Sequence, residues 1–92
     1  MNISINLTFK DLDIISMSLY DNAIMGHLNK YEYNLAWDII ERIYESTSLS
    51  KGHLKLICDS LRRYAIKYDY EPLEARECKR VYNMIVEACS NE

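Results

Sequence analysis

The chain has 92 residues, 49% of them hydrophobic, and a formal net charge of −3. This composition argues against disorder, and the length predicts a single domain, residues 1–92, with one modest core and no room for a deep, walled active site. Only two Gly and one Pro punctuate the chain, so long helices are favoured over many short strands.

The charge is unevenly distributed along the chain. Residues 1–50 carry three Lys/Arg against seven Asp/Glu, residues 51–68 carry five against one, and the remainder carries three against six, giving −4, +4 and −3. A mildly acidic chain is a poor general ligand for polyanions. The basic block in the middle nevertheless keeps nucleic-acid binding open as an alternative.

Two features bear on cellular location. The N-terminal residues lack a positive region followed by an apolar stretch, and no segment approaches the uninterrupted run of about 18 apolar residues that a membrane span requires. The three cysteines are odd in number and lack C-x-x-C spacing, which fits a reducing compartment. We therefore expect a cytoplasmic protein without membrane association.

The N-terminal segment alternates polar and apolar residues, with Ile3, Ile5 and Leu7 on one side. This alternation is typical of a β-strand, yet no other segment has the pattern of an obvious partner strand. Two interpretations remain open. The segment is an extended lead-in that lays its apolar side chains on the helices, or it pairs with the same segment of a second copy.

Helix 1 is predicted over residues 9–25. Thr8 is a suitable N-cap with Asp11 in the first turn, and Gly26 suits a left-handed C-terminal cap. At about 100° per residue, two apolar stripes form. The first, assigned to the core, comprises Phe9, Leu12, Ile15, Leu19 and Ala23, and the second comprises Ile14, Met17, Ile24 and Met25.

The second stripe of helix 1 needs a second partner, because a short chain offers one core to one helix. That partner is another helix of the chain, a second copy, or a different protein. Methionine suits adaptable binding surfaces, and we expect this stripe to be a partner surface.

Helix 2 is predicted over residues 31–46. Its core stripe is Ala36, Ile39, Ile40 and Ile43. Along one edge of this stripe lie Tyr33, Trp37 and Tyr44, residue types that are enriched at binding hot spots. The same rings would also suit the rim of the core, so both interpretations stand.

Helix 3 is predicted over residues 50–68, with Ser48 or Ser50 as its N-cap, and helix 4 over residues 72–89, beginning at Pro72. Lys51, Lys55 and Arg62 fall within about 40° of one another on helix 3, which is the pattern of a nucleic-acid contact. The acidic stripe of helix 2, which is Asp38, Glu41 and Glu45, is a competing partner within the chain.

The residues that could support metal binding or catalysis are poorly placed for either. Cys78 and Cys89 would lie about 16 Å apart on helix 4, too far to share an ion. His27 stands alone in a predicted loop, and His53 and Cys58 point in different directions on helix 3. No base is locally placed to activate Cys58. We expect no metal, no cofactor and no enzymatic activity.

The sequence thus predicts an all-α, four-helix bundle-like domain with a short extended N-terminal segment. Its expected function is a non-catalytic protein-interaction module, namely a small regulator, adaptor or inhibitor. Its expected interface is Ile14, Met17, Ile24 and Met25 with Tyr33, Trp37 and Tyr44. A homodimer is the simplest way to cover this surface. The alternative is a nucleic-acid-binding regulator that uses Lys51, Lys55 and Arg62.

The amino-acid composition resembles that of one known class of proteins. Ile, Asn, Lys and Tyr are abundant while Gly, Pro and Ala are few, which indicates an A+T-rich coding genome. In this respect the chain resembles the small helical proteins of phages and mobile elements in low-GC bacteria. That resemblance implies an inhibitor of a host protein as one form of the interaction module.

Overall fold

The computed structural model describes residues 2–45 and 48–90. The elements in chain order are β1 (Asn2–Ser4), α1 (Phe9–Ile24), α2 (Lys30–Arg42), β2 (Ser48–Ser50), α3 (Lys51–Lys67) and α4 (Pro72–Ser90). The predicted all-α fold class with a short extended N-terminal segment is confirmed. Each helix begins within one residue of its predicted start.

The helix starts are set by local hydrogen bonds. The side chains of Thr8, Asn29 and Ser50 each accept a hydrogen bond from the backbone N–H three residues later. The side chain of that later residue in turn accepts a hydrogen bond from the backbone N–H of the cap residue. Such reciprocal capping satisfies two backbone donors that the helix itself leaves unpaired. Ser50, one of the two predicted candidates, is therefore the N-cap of α3.

The helix ends follow the prediction at three of four places. At the end of α1, Gly26 adopts a left-handed conformation with φ of 76°, as a C-terminal cap requires. The predicted end of helix 2 is wrong, because α2 ends at Arg42 and residues 43–45 form a turn. Ser46 and Thr47 lie outside the described residues.

The N-terminal segment pairs with a strand of its own chain, a partner that neither interpretation of its sequence included. β1 pairs with β2 in an antiparallel ladder in which Ile3 lies opposite Leu49. Both side chains are buried, and Ile5 beyond the ladder is buried as well. The Ser-Leu-Ser segment alternates as β1 does, but three residues are too short a pattern to identify a strand.

Helix α1 packs against all three other helices, α2, α3 and α4. Its buried side therefore spans a wide arc, which includes Ile14 and ends short of Phe9. Ile14, predicted to lie on the partner surface, is buried in the core, whereas Phe9, predicted to lie in the core, is 74% exposed. Three neighbouring helices cover more of α1 than a single core stripe implies.

Polar contacts hold α1 to its neighbours. The buried Asp11 carboxylate accepts a bond from the Arg80 guanidinium at 2.5 Å, and Arg80 also binds Glu77 at 2.8 Å. Further along α1, the Asn22 side-chain amide donates to the backbone carbonyl of Ser60 at 3.2 Å. These contacts fix α1 against α4 and α3.

Candidate functional site

The outward side of α1 carries a stripe of exposed apolar side chains, which Asp13 interrupts between Phe9 and Met17. Phe9, Met17, Tyr20 and Ile24 fall within about 80° of arc on the helix. Each of the four is between 49% and 74% exposed. The opposite side of α1 is packed against three helices, so this stripe is the part of α1 that its own chain leaves uncovered.

Aromatic rings of α2 extend the stripe sideways. The Trp37 ring contacts the Tyr20 ring edge-on at a centroid distance of 5.7 Å, and it contacts the Tyr33 ring at 6.1 Å. Tyr20 belongs to α1 and the other two rings to α2, so the contacts join the two helices on the molecular surface. Edge-to-face packing of this kind holds each ring in a defined orientation.

A second aromatic contact joins the start of α1 to the turn after α2. The rings of Phe9 and Tyr44 stack at a centroid distance of 6.5 Å, and the Tyr44 hydroxyl donates to the Asp13 carboxylate at 2.5 Å. Burial and this hydrogen bond raise the pKa of Tyr44 above its usual value. Tyr44 therefore remains a neutral donor over the physiological range.

We call the surface formed by these contacts the α1–α2 face. It comprises Phe9, Met17, Tyr20 and Ile24 of α1 together with Tyr33, Trp37 and Tyr44. Of the predicted interface residues, Met17, Ile24, Tyr33 and Tyr44 are exposed and Trp37 is half-buried. Met25 is exposed just past the helix end, and Ile14 is not part of the surface.

Sequence reasoning missed two members of this face. Phe9 was assigned to the core stripe and Tyr20 to neither stripe. A usable signal existed, because at about 100° per residue both fall within about 80° of arc that also holds Met17 and Ile24. The angle alone, however, does not say which side of α1 its neighbours cover.

The margin of the α1–α2 face is acidic. Asp13 lies on the stripe itself, Glu41 lies one helical turn after Trp37, and Glu45 lines a surface hollow with Phe9 and Tyr44. Among residues 2–45 and 48–90, none of these three carboxylates forms an ion pair. The face thus combines apolar rings with uncompensated negative charge.

The predicted basic stripe lies on a different surface. Lys51, Lys55 and Arg62 are exposed along α3. Lys55 pairs with Asp59 at 3.1 Å on the same helix, whereas no ion pair joins Lys51 or Arg62 to a carboxylate in the described part of the chain. The acidic stripe of α2 does not neutralise these cations there. Its Asp38 pairs instead with Arg42 at 2.6 Å.

The cysteines and histidines form no chemical constellation within the described ranges, where no three His, Cys, Asp or Glu side chains group as a metal site would require. Burial raises the pKa of the Cys58 and Cys78 thiols to about 11. Both thiols therefore stay protonated near neutral pH, which makes them weak nucleophiles.

No protein-family model, curated protein or solved structure matches the chain. Over residues 2–45 and 48–90, no helix has the length and apolar character needed to cross a membrane.

Proposed function

We propose that this protein is a non-catalytic protein-interaction module, a small regulator, adaptor or inhibitor, that binds a partner protein through the α1–α2 face. One observation carries the proposal. Four large apolar side chains stand on one exposed side of α1, a helix that packs against the other three. Covering such side chains is favourable by about 25 cal/mol per Å² of apolar surface removed from water, and the chain itself does not cover them.

The ring contacts prepare this face for binding. Trp37 is held between Tyr20 and Tyr33, so its orientation is set before any partner arrives. Preorganised aromatic side chains lose little conformational entropy on binding, which is one reason Trp and Tyr dominate interface hot spots. We expect Trp37 and Tyr20 to form the centre of the interface.

The acidic margin specifies the kind of partner. A symmetric dimer formed through this face would bring two copies of Asp13, Glu41 and Glu45 into one interface, and like charges disfavour such a contact. A partner that presents apolar side chains flanked by Lys or Arg would gain from both features. A partner protein with a basic amphipathic helix is therefore favoured over a second copy.

The test uses Trp37, the only tryptophan in the sequence, as an intrinsic fluorescent probe. The protein is titrated with a Trp-free helical peptide that has Leu on one face and Lys on its flanks. Binding should shift the Trp37 emission to shorter wavelength. Met17→Gln with Ile24→Gln should raise the Kd by about tenfold or more, since each buried apolar side chain contributes about 1.5–3 kcal/mol.

The matched control is Ile66→Gln with Leu73→Gln, because these side chains are also exposed, at 71% and 73%, and lie on α3 and α4. This control should leave the Kd unchanged.

Light scattering at two concentrations identifies a second copy if the mass rises with concentration and the Met17/Ile24 variant abolishes the rise. The proposal fails if the peptide does not bind and the mass stays that of a monomer. It also fails if the Met17/Ile24 variant unfolds, because the stripe would then belong to the core.

A further inference from the structure

Helices α3 and α4 enclose a groove that is separate from the α1–α2 face. Lys51 at the start of α3 and Ser90 at the end of α4 line the same hollow, so the two helices run antiparallel. A second hollow of about 350 Å³ lies toward the other end of the pair, with Leu61, Ala65 and Cys78 among its lining residues. The two hollows together define the α3–α4 groove.

Cations from both helices border this groove. Arg62 of α3 and Lys79 of α4 line the 350 Å³ hollow, and Lys51 and Lys55 line the hollow at the opposite end. Neither Arg62 nor Lys79 forms an ion pair with any residue in the ranges 2–45 and 48–90. Each wall of the groove therefore carries a cation that has no ion-pair partner. Such a groove favours an occupant that carries negative charge.

The groove also presents apolar surface. Ile66 lines the hollow beside Arg62 and is 71% exposed, and Val86 lines the other hollow and is 41% exposed. An occupant that supplied negative charge alone would leave these side chains in water. The occupant that fits both features has apolar side chains on one face and carboxylates along its flanks.

We propose that the α3–α4 groove is a second docking site, which binds an acidic amphipathic helix of a partner protein between the cationic rims formed by Arg62 and Lys79. This mode lays the apolar face of a helix into a groove while flanking charges set its orientation. The site shares no residue with the α1–α2 face. It therefore goes beyond the function proposed above and can be tested independently.

Nucleic acid is less well suited to this groove, although Lys51, Lys55 and Arg62 are the residues that the sequence indicated for it. A phosphate backbone would pair with the cations but offers no apolar group to Ile66 or Val86. Binding of single strands relies on several exposed aromatic rings that stack on bases. Tyr82 is the one aromatic residue that lines either hollow of the groove.

The experiment measures fluorescence anisotropy of a labelled peptide of about 18 residues, roughly the length of α3. The peptide is helical, with Leu on one face and Glu on both flanks. Arg62→Ala with Lys79→Ala should raise the Kd by about tenfold or more, and Ile66→Gln should raise it as well. Because both cations and Ile66 are needed, loss of either kind of contact weakens binding.

Controls separate this groove from general charge attraction. Lys30→Ala with Arg42→Ala removes the same charge from α2, and Leu73→Gln removes an equally exposed apolar side chain from α4. Both should leave the Kd unchanged, as should Met17→Gln with Ile24→Gln. The same measurement is made with a DNA duplex and a single-stranded RNA of similar length.

Three outcomes would overturn the proposal. The first is that the acidic peptide does not bind, or that the Lys30/Arg42 control weakens it as much as the groove variant does. The second is that DNA or RNA binds more tightly and Ile66→Gln leaves that affinity unchanged, which would assign the groove to nucleic acid. The third is concentration-dependent assembly that Arg62→Ala with Lys79→Ala abolishes, which would make a second copy the occupant.

Discussion

Two polar side chains are buried where α1 contacts α3, and one of them is hydrogen-bonded while the other is not. The Asn22 amide donates to the carbonyls of Ser18 at 2.7 Å and Ser60 at 3.2 Å, and its oxygen accepts from Arg63 at 3.4 Å. The Ser60 hydroxyl, which is equally buried, has no hydrogen-bond partner among the described residues. A buried polar group stabilises a fold only when its bonds are made.

This difference gives an expected outcome for two substitutions. Asn22→Ala should lower the free energy of unfolding by about 1–3 kcal/mol because its bonds to two helices are lost. Ser60→Ala should leave it unchanged or raise it by up to about 1 kcal/mol, because an unpaired hydroxyl is removed and Ala favours the helix. Urea unfolding followed by circular dichroism measures both. Equal destabilisation by the two variants would show that the Ser60 hydroxyl has a partner.

At the scale of elements, four charged side chains join the first turn of α1 to the middle of α4. Arg80 bridges Asp11 and Glu77, and Lys10 contacts Glu77 at 2.6 Å. Hydrogen bonds from Arg80 and Lys10 lower the pKa of Glu77 from 4.5 to about 2. Burial raises the pKa of Asp11, but bonds from the Thr8 backbone and from Arg80 outweigh it and leave that pKa below its usual value.

The lowered pKa values predict a loss of stability in acid. Both carboxyls bind protons more readily in the unfolded chain, so their contribution is complete above pH 4.5 and is lost as the pH falls toward about 2. Arg80→Gln should lower the free energy of unfolding at pH 7 by about 1–3 kcal/mol, because the buried Asp11 carboxylate loses a partner. It should also flatten the dependence on pH, as measured by urea midpoints between pH 7 and pH 3.

An exposed pair on α2 provides the control for this network. Arg42 and Asp38 lie four residues apart with their side chains 64% and 44% exposed. Arg42→Gln should change the free energy of unfolding by less than about 0.5 kcal/mol and leave its pH dependence intact, because solvent screens such pairs. A wild-type stability that did not fall in acid would contradict the role assigned to Asp11 and Glu77.

At the scale of the whole molecule, the strand pair ties the N-terminal segment to the connection between α2 and α3. Ile3 and Leu49 are 4% and 5% exposed and belong to the same hydrophobic core as the helices. A two-stranded ladder is only marginally stable by itself. The burial of its apolar side chains against the helices, rather than its backbone bonds, therefore holds it in place.

The N-terminal segment should consequently behave as part of the domain. Ile3→Ala is expected to lower the free energy of unfolding by about 2–4 kcal/mol, as other truncations of buried isoleucines do. Asn6→Ala, at an exposed position of the same segment, should change it by less than about 0.5 kcal/mol. Urea denaturation measures both variants. If they unfolded at the same urea concentration, the segment would be a dispensable lead-in.

Local signals account for what could be predicted of the fold. Thr8, Ser50 and Pro72 each mark a helix start through contacts within one turn of chain, so adjacent residues suffice to identify them. The apolar periodicity of each helix likewise depends on its own residues. The short Ser-Leu-Ser strand has no such local signal, because its identity depends on pairing with a segment more than 40 residues away.

The candidate site was predicted only in part for a related reason. Helical periodicity gives the angle between two side chains but not the number of neighbours that cover each angle. Of the residues predicted to form the partner surface, Met17 and Ile24 are exposed, whereas Ile14 is buried because α1 contacts three helices. Lys79 was not singled out for the basic surface, since its place opposite Arg62 arises only from the packing of α4 on α3.

The sequence by itself determined the four helices and the signals at Thr8, Ser50 and Pro72 that begin three of them, because these depend on interactions within a few turns of chain. Tertiary structure alone decided which apolar side chains stay exposed, where β1 pairs, and that Arg62 and Lys79 share one groove. Those outcomes depend on how distant segments pack, and packing of a whole chain is not encoded in any single helix or strand.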